Sequence, residues 1–286
     1  MVPPRNRTGR YTSQHKGVLM TYITFPSTNI YQPTPWQSSV KTTVTAPPVD
    51  LVQAFKPKRA GKNPKLSHII FVLDESSSMR SCWDSTISGY NEYLNGQRLD
   101  AERTGIETLV SLYKFNGTQV NCVFNRVDVK EVKSLDKTSY QPNGNTNLHD
   151  AFGGVMMQIN NQLTTKKKND RESVIITVLT DGEENSSRTF NASSIKGMVE
   201  KAEAKNWGFM FLGANIDAFH AGARLGFGTV NTLQYDTASM LNTIRSASDM
   251  TSRMKSAYSA GLDTSSTYAA TTFTDVERST AVGKNE

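Results

Sequence analysis

His68-Ile69-Ile70-Phe71-Val72-Leu73-Asp74-Glu75-Ser76-Ser77-Ser78 is an apolar run that stops at a carboxylate and a row of hydroxyls. A short, almost unbroken run rich in β-branched residues suits a strand covered on both faces, as in a parallel sheet. Ser173–Thr180 (SVIITVLT) and Trp207–Leu212 (WGFMFL) read the same way. Helical patterns fall between these runs, over about 85–97, 148–163 and 192–205. Thr108–Phe115 and Gln119–Val129 read as two strands joined by Asn116-Gly117, a hairpin signal. This alternation predicts an α/β fold: a doubly wound, mostly parallel sheet with one antiparallel edge strand and helices on both faces.

In such sheets ligands sit at the carboxyl ends of the strands. Three loops fall there: Asp74 to Ser78, a D-x-S-x-S pattern; Gly144-Asn145-Thr146-Asn147-Leu148, ahead of a helix; and Asp181-Gly182-Glu183. Together they offer the carboxylates of Asp74 and Asp181 and the hydroxyls of Ser76, Ser78 and Thr146. All are oxygen donors, which suit a hard divalent cation; Mg²⁺ takes about six of them at roughly 2.0–2.1 Å. Five side chains do not close that shell, so water or a carboxylate from another molecule completes it. Neutral hydroxyls quench less of the ion's charge than carboxylates would. A cation held this way stays electrophilic and attracts an outside Asp or Glu.

FVLDESSSM, GNTNLHDAF and VLTDGEENSS, in that order, resemble the von Willebrand factor A domain and its metal-ion-dependent adhesion site, over about residues 67–230. The segment GFMFLGANIDAFHAGARLGF looks like a subgroup of small stand-alone A-domain proteins of bacteria and their phages. The resemblance implies a Rossmann-like A-domain fold. It also implies that Asp74, Ser76, Ser78, Thr146 and Asp181 hold Mg²⁺ (or Mn²⁺ or Ca²⁺), the hydroxyls directly and the two aspartates directly or through water. It implies a non-catalytic, metal-dependent binding module whose protein partner offers an acidic side chain, in the cytoplasm or on a virion. Many relatives carry Gly where this chain has Ser77, and Glu75 and Glu183 add negative charge beside the site.

Outside this core the chain of 286 residues changes character. Residues 1–66 hold ten Lys and Arg against one acid, Asp50, and nine of the ten prolines. Dense proline with basic and hydroxyl residues favours extended, solvated backbone. We therefore expect an extended basic arm over 1–66, an A domain over 67–230, and a C-terminal helical and irregular extension over 231–286. The arm's aromatics, Phe55 among them, suggest anchoring on a surface. Its charge suits an acidic protein surface; without a base-reading motif, nucleic acid is the weaker alternative. In the last part, Met240, Ile244, Ala247, Met250 and Met254 keep helical spacing, so one face packs on the sheet domain or on a partner. Residues 263–286 read as irregular.

No apolar run approaches the roughly 20 residues that cross a bilayer. Gly17–Phe25 is too short and too interrupted to be the core of a signal peptide. Cys82 and Cys122 lack zinc spacing, and two free thiols are expected. The four histidines show no triad-like pairing with Ser or Cys, though His149 is placed to line the site. Neither a phosphate-binding loop nor a dinucleotide fingerprint is present. Two competing readings are a structural assembly protein with a vestigial metal site and a Mg²⁺-dependent hydrolase; the second lacks an evident base or nucleophile.

Overall fold

The computed structural model describes residues 51–214 and 217–283, together with the backbone of Thr21–Tyr22. The arm over 1–20 and 23–50 lies outside the described residues.

The elements run β1 (Thr21–Tyr22), α1 (Leu51–Ala54), β2 (Leu66–Asp74), α2 (Trp83–Thr104), β3 (Glu107–Phe115), β4 (Val120–Asp128), α3 (Leu148–Thr164), β5 (Ser173–Thr180), α4 (Ala192–Glu203), β6 (Trp207–Ala214), α5 (Ala218–Arg224), β7 (Thr232–Tyr235), α6 (Met240–Ser259), α7 (Thr264–Thr271) and α8 (Asp275–Ala281). The sheet order is β1-β4-β3-β2-β5-β6-β7. β2 lies at its centre and pairs in parallel with β3 (Ile69↔Val110) and β5 (Ile69↔Ile175). β4 runs antiparallel to β3, as the hairpin signal requires, and is the outermost of the long strands. The two residues of β1 add a short antiparallel pairing outside it.

Side chains alternate across a strand. In β2, Ile69, Phe71 and Leu73 enter one core with Tyr90, Tyr93 and Leu94 of α2 and Ile244, Met250 and Met254 of α6. Ile70 and Val72 enter the other, with Phe152, Val155 and Ile159 of α3 and Ile195 and Met198 of α4. Helices cover both faces, so the central strands are buried on both sides and mostly apolar. Two glycines let α2 approach α6: a Cβ at Gly89 would lie 2.7 Å from Ile244 Cδ1, and one at Gly96 would lie 2.6 Å from Ser248 Oγ. α2 ends at Gly105, whose φ of 67° supplies the left-handed cap that a side chain disfavours.

The structure moves three expected boundaries. The C-terminal part is no appendage. β7 pairs with β6, and α6 packs its periodic face on α2 in the sheet's own core, so 230 is not a break. Residues 263–283 are not irregular as expected of 263–286: α7 and α8 form there, each with a side-chain N-cap, from Asp263 and Thr274, and 284–286 lie outside the described residues. The last stretch of the expected arm is also part of the globule. Phe55 is buried against Trp207, Trp207 Nε1 donates to Lys58 O at 2.8 Å, and Ala60 N donates to Lys205 O at 2.8 Å. Cys82 and Cys122 are free and buried on opposite faces of the sheet. No helix among the described residues is long and apolar enough to cross a membrane.

Candidate metal centre

Asp74 is the last residue of β2, at the carboxyl end of the sheet, and is fully buried. Its Oδ1 accepts from Ser76 N at 2.7 Å, a turn that lifts the Ser76 side chain over the strand end. Its Oδ2 accepts from Thr180 Oγ1 at 2.6 Å, tying β2 to the end of β5. Ser76 Oγ lies 3.0 Å from Ser78 Oγ, and Ser78 Oγ donates to Asp181 Oδ1 at 2.6 Å. A Cβ on Gly182 would lie 3.3 Å from Ser78 Oγ and 3.6 Å from Thr146 Oγ1. The three loops therefore converge, and Asp74, Ser76, Ser78, Thr146 and Asp181 share one cluster. Ser78 is exposed, whereas Ser76, Thr146 and Asp181 are buried.

Backbone bonds set this convergence. Ser77 N donates to Gly144 O at 3.0 Å, joining the first loop to the second. Asn185 Oδ1 accepts from Thr146 N at 3.0 Å, and Asn185 N returns a bond to Thr146 O at 3.0 Å, joining the second to the third. Glu184 and Asp150 brace the third loop by accepting from backbone amides of residues 186–190. Tyr140 Oη donates to Asp74 O at 2.7 Å from beneath.

The electrostatics leave a deficit of positive charge. Burial raises the Asp74 carboxyl to about 6, against the bonds from Thr180 and Ser76 that favour its ionised form. Burial also raises Asp181, which Ser78 opposes. Asp181 Oδ2 is buried and has no hydrogen-bond partner. Two desolvated carboxylates, one with an orphaned oxygen, beside three hydroxyls fit a hard divalent cation, which would supply the missing charge. Among the described residues no group of three or more His, Cys, Asp and Glu gathers to hold a metal, so any ion here depends on the hydroxyls.

Glu75 does not add charge to the site as expected from its position. It is buried and turned away, with Oε1 accepting from Lys114 Nζ at 2.6 Å and from Gln141 N at 2.7 Å. Glu183 is exposed at the rim. His149 lies beside the cluster, lining a cavity of about 210 Å³ with Gly182, Glu183 and Arg224. Burial lowers its pKa, and its ring sits 3.8 Å from Glu184. The sequence reading missed Thr180, whose hydroxyl orients Asp74. A hydroxyl residue directly before Asp181 was the available signal.

His68 corrects the reading of the histidines. Its Nε2 lies 2.7 Å from Ser111 Oγ, and its Nδ1 lies 3.8 Å from Glu172. The trio resembles a hydrolytic triad in composition only. His68, Ser111 and Glu172 are all fully buried, and Ser111 Oγ also accepts from Arg126 N and donates to Asn125 Oδ1. Burial, with Arg126 next, lowers His68 to about 3 and keeps it neutral. Glu172 is neutralised by Arg126 and by Lys166 at 2.8 Å. The group ties the first half of β2 to the middle of β3 and to the start of β5.

The sequence pattern of the von Willebrand factor type A domain matches residues 68–258. No curated protein matches the chain. Among solved structures, proximal thread matrix protein 1 from the mussel byssus is 13% identical, over 68% of this chain and 49% of that one, with a TM-score of 0.48. The match thus spans about half the length of the mussel protein. A form of that protein with zinc in its MIDAS motif matches at 13% identity, over 68% and 48% of the two chains, with a TM-score of 0.47. The manganese-loaded TRAP protein of Plasmodium vivax matches at 15% identity, over 63% and 72%, with a TM-score of 0.41. The family pattern covers more than half of the sequence and includes all three loops, β7 and α6 almost to its end, so this chain belongs to the von Willebrand factor type A domain family.

Proposed function

We propose that Asp74, Ser76, Ser78, Thr146 and Asp181 hold one divalent cation, Mg²⁺ or else Mn²⁺ or Ca²⁺. On this reading the chain is a non-catalytic module that binds an acidic side chain of a partner protein through that ion. Domains of this family serve as protein-interaction modules, and hydroxyl-rich coordination suits that use: the ion keeps enough charge to attract a foreign carboxylate. The observation that carries the reading is Asp181 Oδ2, buried and unpartnered at the convergence of the three loops. A buried carboxylate oxygen without a partner is costly, and a cation is the economical remedy.

The basic, proline-rich arm ahead of the globule, residues 1–50 of the 1–66 read from sequence, docks the module on an acidic surface of a larger assembly such as a phage particle. Its acid-poor, proline-rich sequence supports this. No step of bond making or breaking is assigned to the site. The Ser–His–Glu trio has no exposed nucleophile, and the exposed Ser78 donates to a carboxylate, not to a histidine base. Calorimetric titration of the metal-stripped protein with Mg²⁺, Mn²⁺ and Ca²⁺ tests the ion. Capture of partners from the native particle, with and without EDTA, tests the module. A single-site isotherm and EDTA-sensitive capture are expected. Metal-independent capture would leave the cluster as a structural relic.

A further inference from the structure

The far end of the sheet has the opposite character. Lys56, Lys58, Arg59, Lys62 and Lys65 lie on the segment that leads into β2, and residues 56–65 contain no acid. Lys166, Lys167, Lys168 and Arg171 lie between α3 and β5, with Asp170 and the buried Glu172 as the acids there. The two segments are far apart in sequence and joined in space. Gly61 N donates to Glu172 O at 2.7 Å, and Lys62 N and Asn63 N donate to Arg171 O, both at 2.9 Å. Ala60 N donates to Lys205 O and brings a further lysine to the same edge. Glu172 is already committed to Arg126 and Lys166. Lys56, Lys62, Lys65, Lys167 and Lys168 are exposed, and none is ion-paired among the described residues. Arg59 instead faces Glu200, Glu203 and Asp263, and Glu107 is the exposed acid beside Lys65.

We infer that this amino end of the sheet docks the phosphate backbone of a nucleic-acid duplex without reading its sequence. The charge of the arm alone does not choose between partners; the composition of the joined surface does. Protein interfaces are depleted in lysine at their centres and are anchored by buried aromatic or aliphatic side chains. Neither basic segment offers such an anchor. The exposed large hydrophobics among the described residues, Leu99, Phe219, Val230 and Val276, belong to other segments. The same lack removes the apolar insertion that strengthens binding to a lipid surface. The neighbouring aromatics Phe55 and Trp207 are buried, so no stacking platform for single-stranded bases is presented. What remains is a field of exposed ammonium groups, which suits phosphates spaced along a duplex.

The test is fluorescence anisotropy of a 30-base-pair DNA duplex of mixed sequence with the full chain, in EDTA, across a salt series. Binding should weaken with salt, log K falling against log salt with a slope of about −4 or steeper, as release from four or more phosphates requires. The variant Lys62→Gln/Lys167→Gln/Lys168→Gln should bind at least about tenfold more weakly at 0.1 M salt, with a slope shallower by roughly 2–3. Lys137→Gln, an exposed lysine paired with the exposed Asp84 outside this surface, should bind the duplex like the parent protein. Three results would overturn the inference: no binding at 0.05 M salt, an affinity unmoved in the triple variant, or tighter binding to polyglutamate or to phosphatidylserine vesicles than to the duplex. Each leaves the metal-centre reading intact, since that reading is measured by metal titration.

Discussion

Replacing Asp181 by alanine separates a metal ligand from a structural residue. In the metal-free protein Asp181 is a cost: it is buried, its Oδ1 has one donor, Ser78 Oγ at 2.6 Å, and its Oδ2 has none. Removing it relieves that desolvation and deprives Ser78 of one partner, while Ser76 Oγ remains at 3.0 Å. One neutral hydrogen bond is worth about 1 kcal/mol, and an unsatisfied buried charge costs at least as much. In EDTA, Asp181→Ala should therefore melt within a few degrees of the parent protein or above it. With metal the order reverses. A cation at a hundred times its dissociation constant stabilises the parent by about 2.7 kcal/mol. For a domain of this size that is a rise in Tm of roughly 5–10 °C. The variant should show less than about a quarter of this rise at the same concentration. Differential scanning calorimetry of both proteins in EDTA and in Mg²⁺ supplies the four numbers. Equal losses of stability with and without metal would refute the reasoning, because Asp181 would then be holding the loops together by itself.

Three further outcomes are expected. Gly182→Ala places a methyl 3.3 Å from Ser78 Oγ and 3.6 Å from Thr146 Oγ1, so calorimetric titration should show metal affinity reduced about tenfold, with Tm in EDTA nearly unchanged. Glu203 is raised to about 7 by burial, against the bond from Tyr268 Oη, so its stabilising contribution is complete below about pH 4.5 and is lost as pH rises through 7. Urea unfolding of the parent should accordingly weaken by about 1–3 kcal/mol between pH 5 and pH 8, and Glu203→Gln should flatten that slope. A chain ending at residue 230 should fail to fold cooperatively, because it loses β7 and the α6 face that covers Phe71, Tyr93 and their neighbours; circular dichroism melting would show it, and a sharp transition would contradict the single core.

What the sequence revealed depended on how local the signal was. β5 is legible to the residue because SVIITVLT is bounded by charges on both sides. β7 was not, because Thr232–Tyr235 carries no run of its own and exists through pairing with Phe211–Ala214. The helical spacing of α6 was visible, but its partner was not. That depended on Gly89 and Gly96 presenting a close-approach face, a relation between segments about 150 residues apart. The five oxygen-bearing residues were legible as a set because each lies at a strand end or in a loop that follows a strand or precedes a helix at the same edge. Their support was only partly so. Glu75 read as a rim charge, yet β2–β3 register places Lys114 opposite Leu73, where its ammonium group takes the carboxylate inward. Register is a three-dimensional fact, and a one-residue slip would have returned Glu75 to the rim.

The parallel sheet also sets how the two ends can work together. β2 has nine residues and β5 eight, which at about 3.3 Å per residue separates the loops at their ends by roughly 25–30 Å. Charges that far apart are screened at physiological salt, where the Debye length is about 8 Å. A cation among Asp74, Ser76, Ser78, Thr146 and Asp181 therefore does little to the lysine field at the opposite end. A duplex there likewise does little to the cation. The two activities should respond to different variables. Raising salt to about 0.5 M should release the duplex, because its binding is counterion release. The same salt should leave a carboxylate held at close range by a partly buried divalent ion largely in place. EDTA should do the reverse. If one agent removed both ligands together, the two ends would be coupled through the fold. The strands β2 and β5, which run from one end to the other, would then have to carry that coupling.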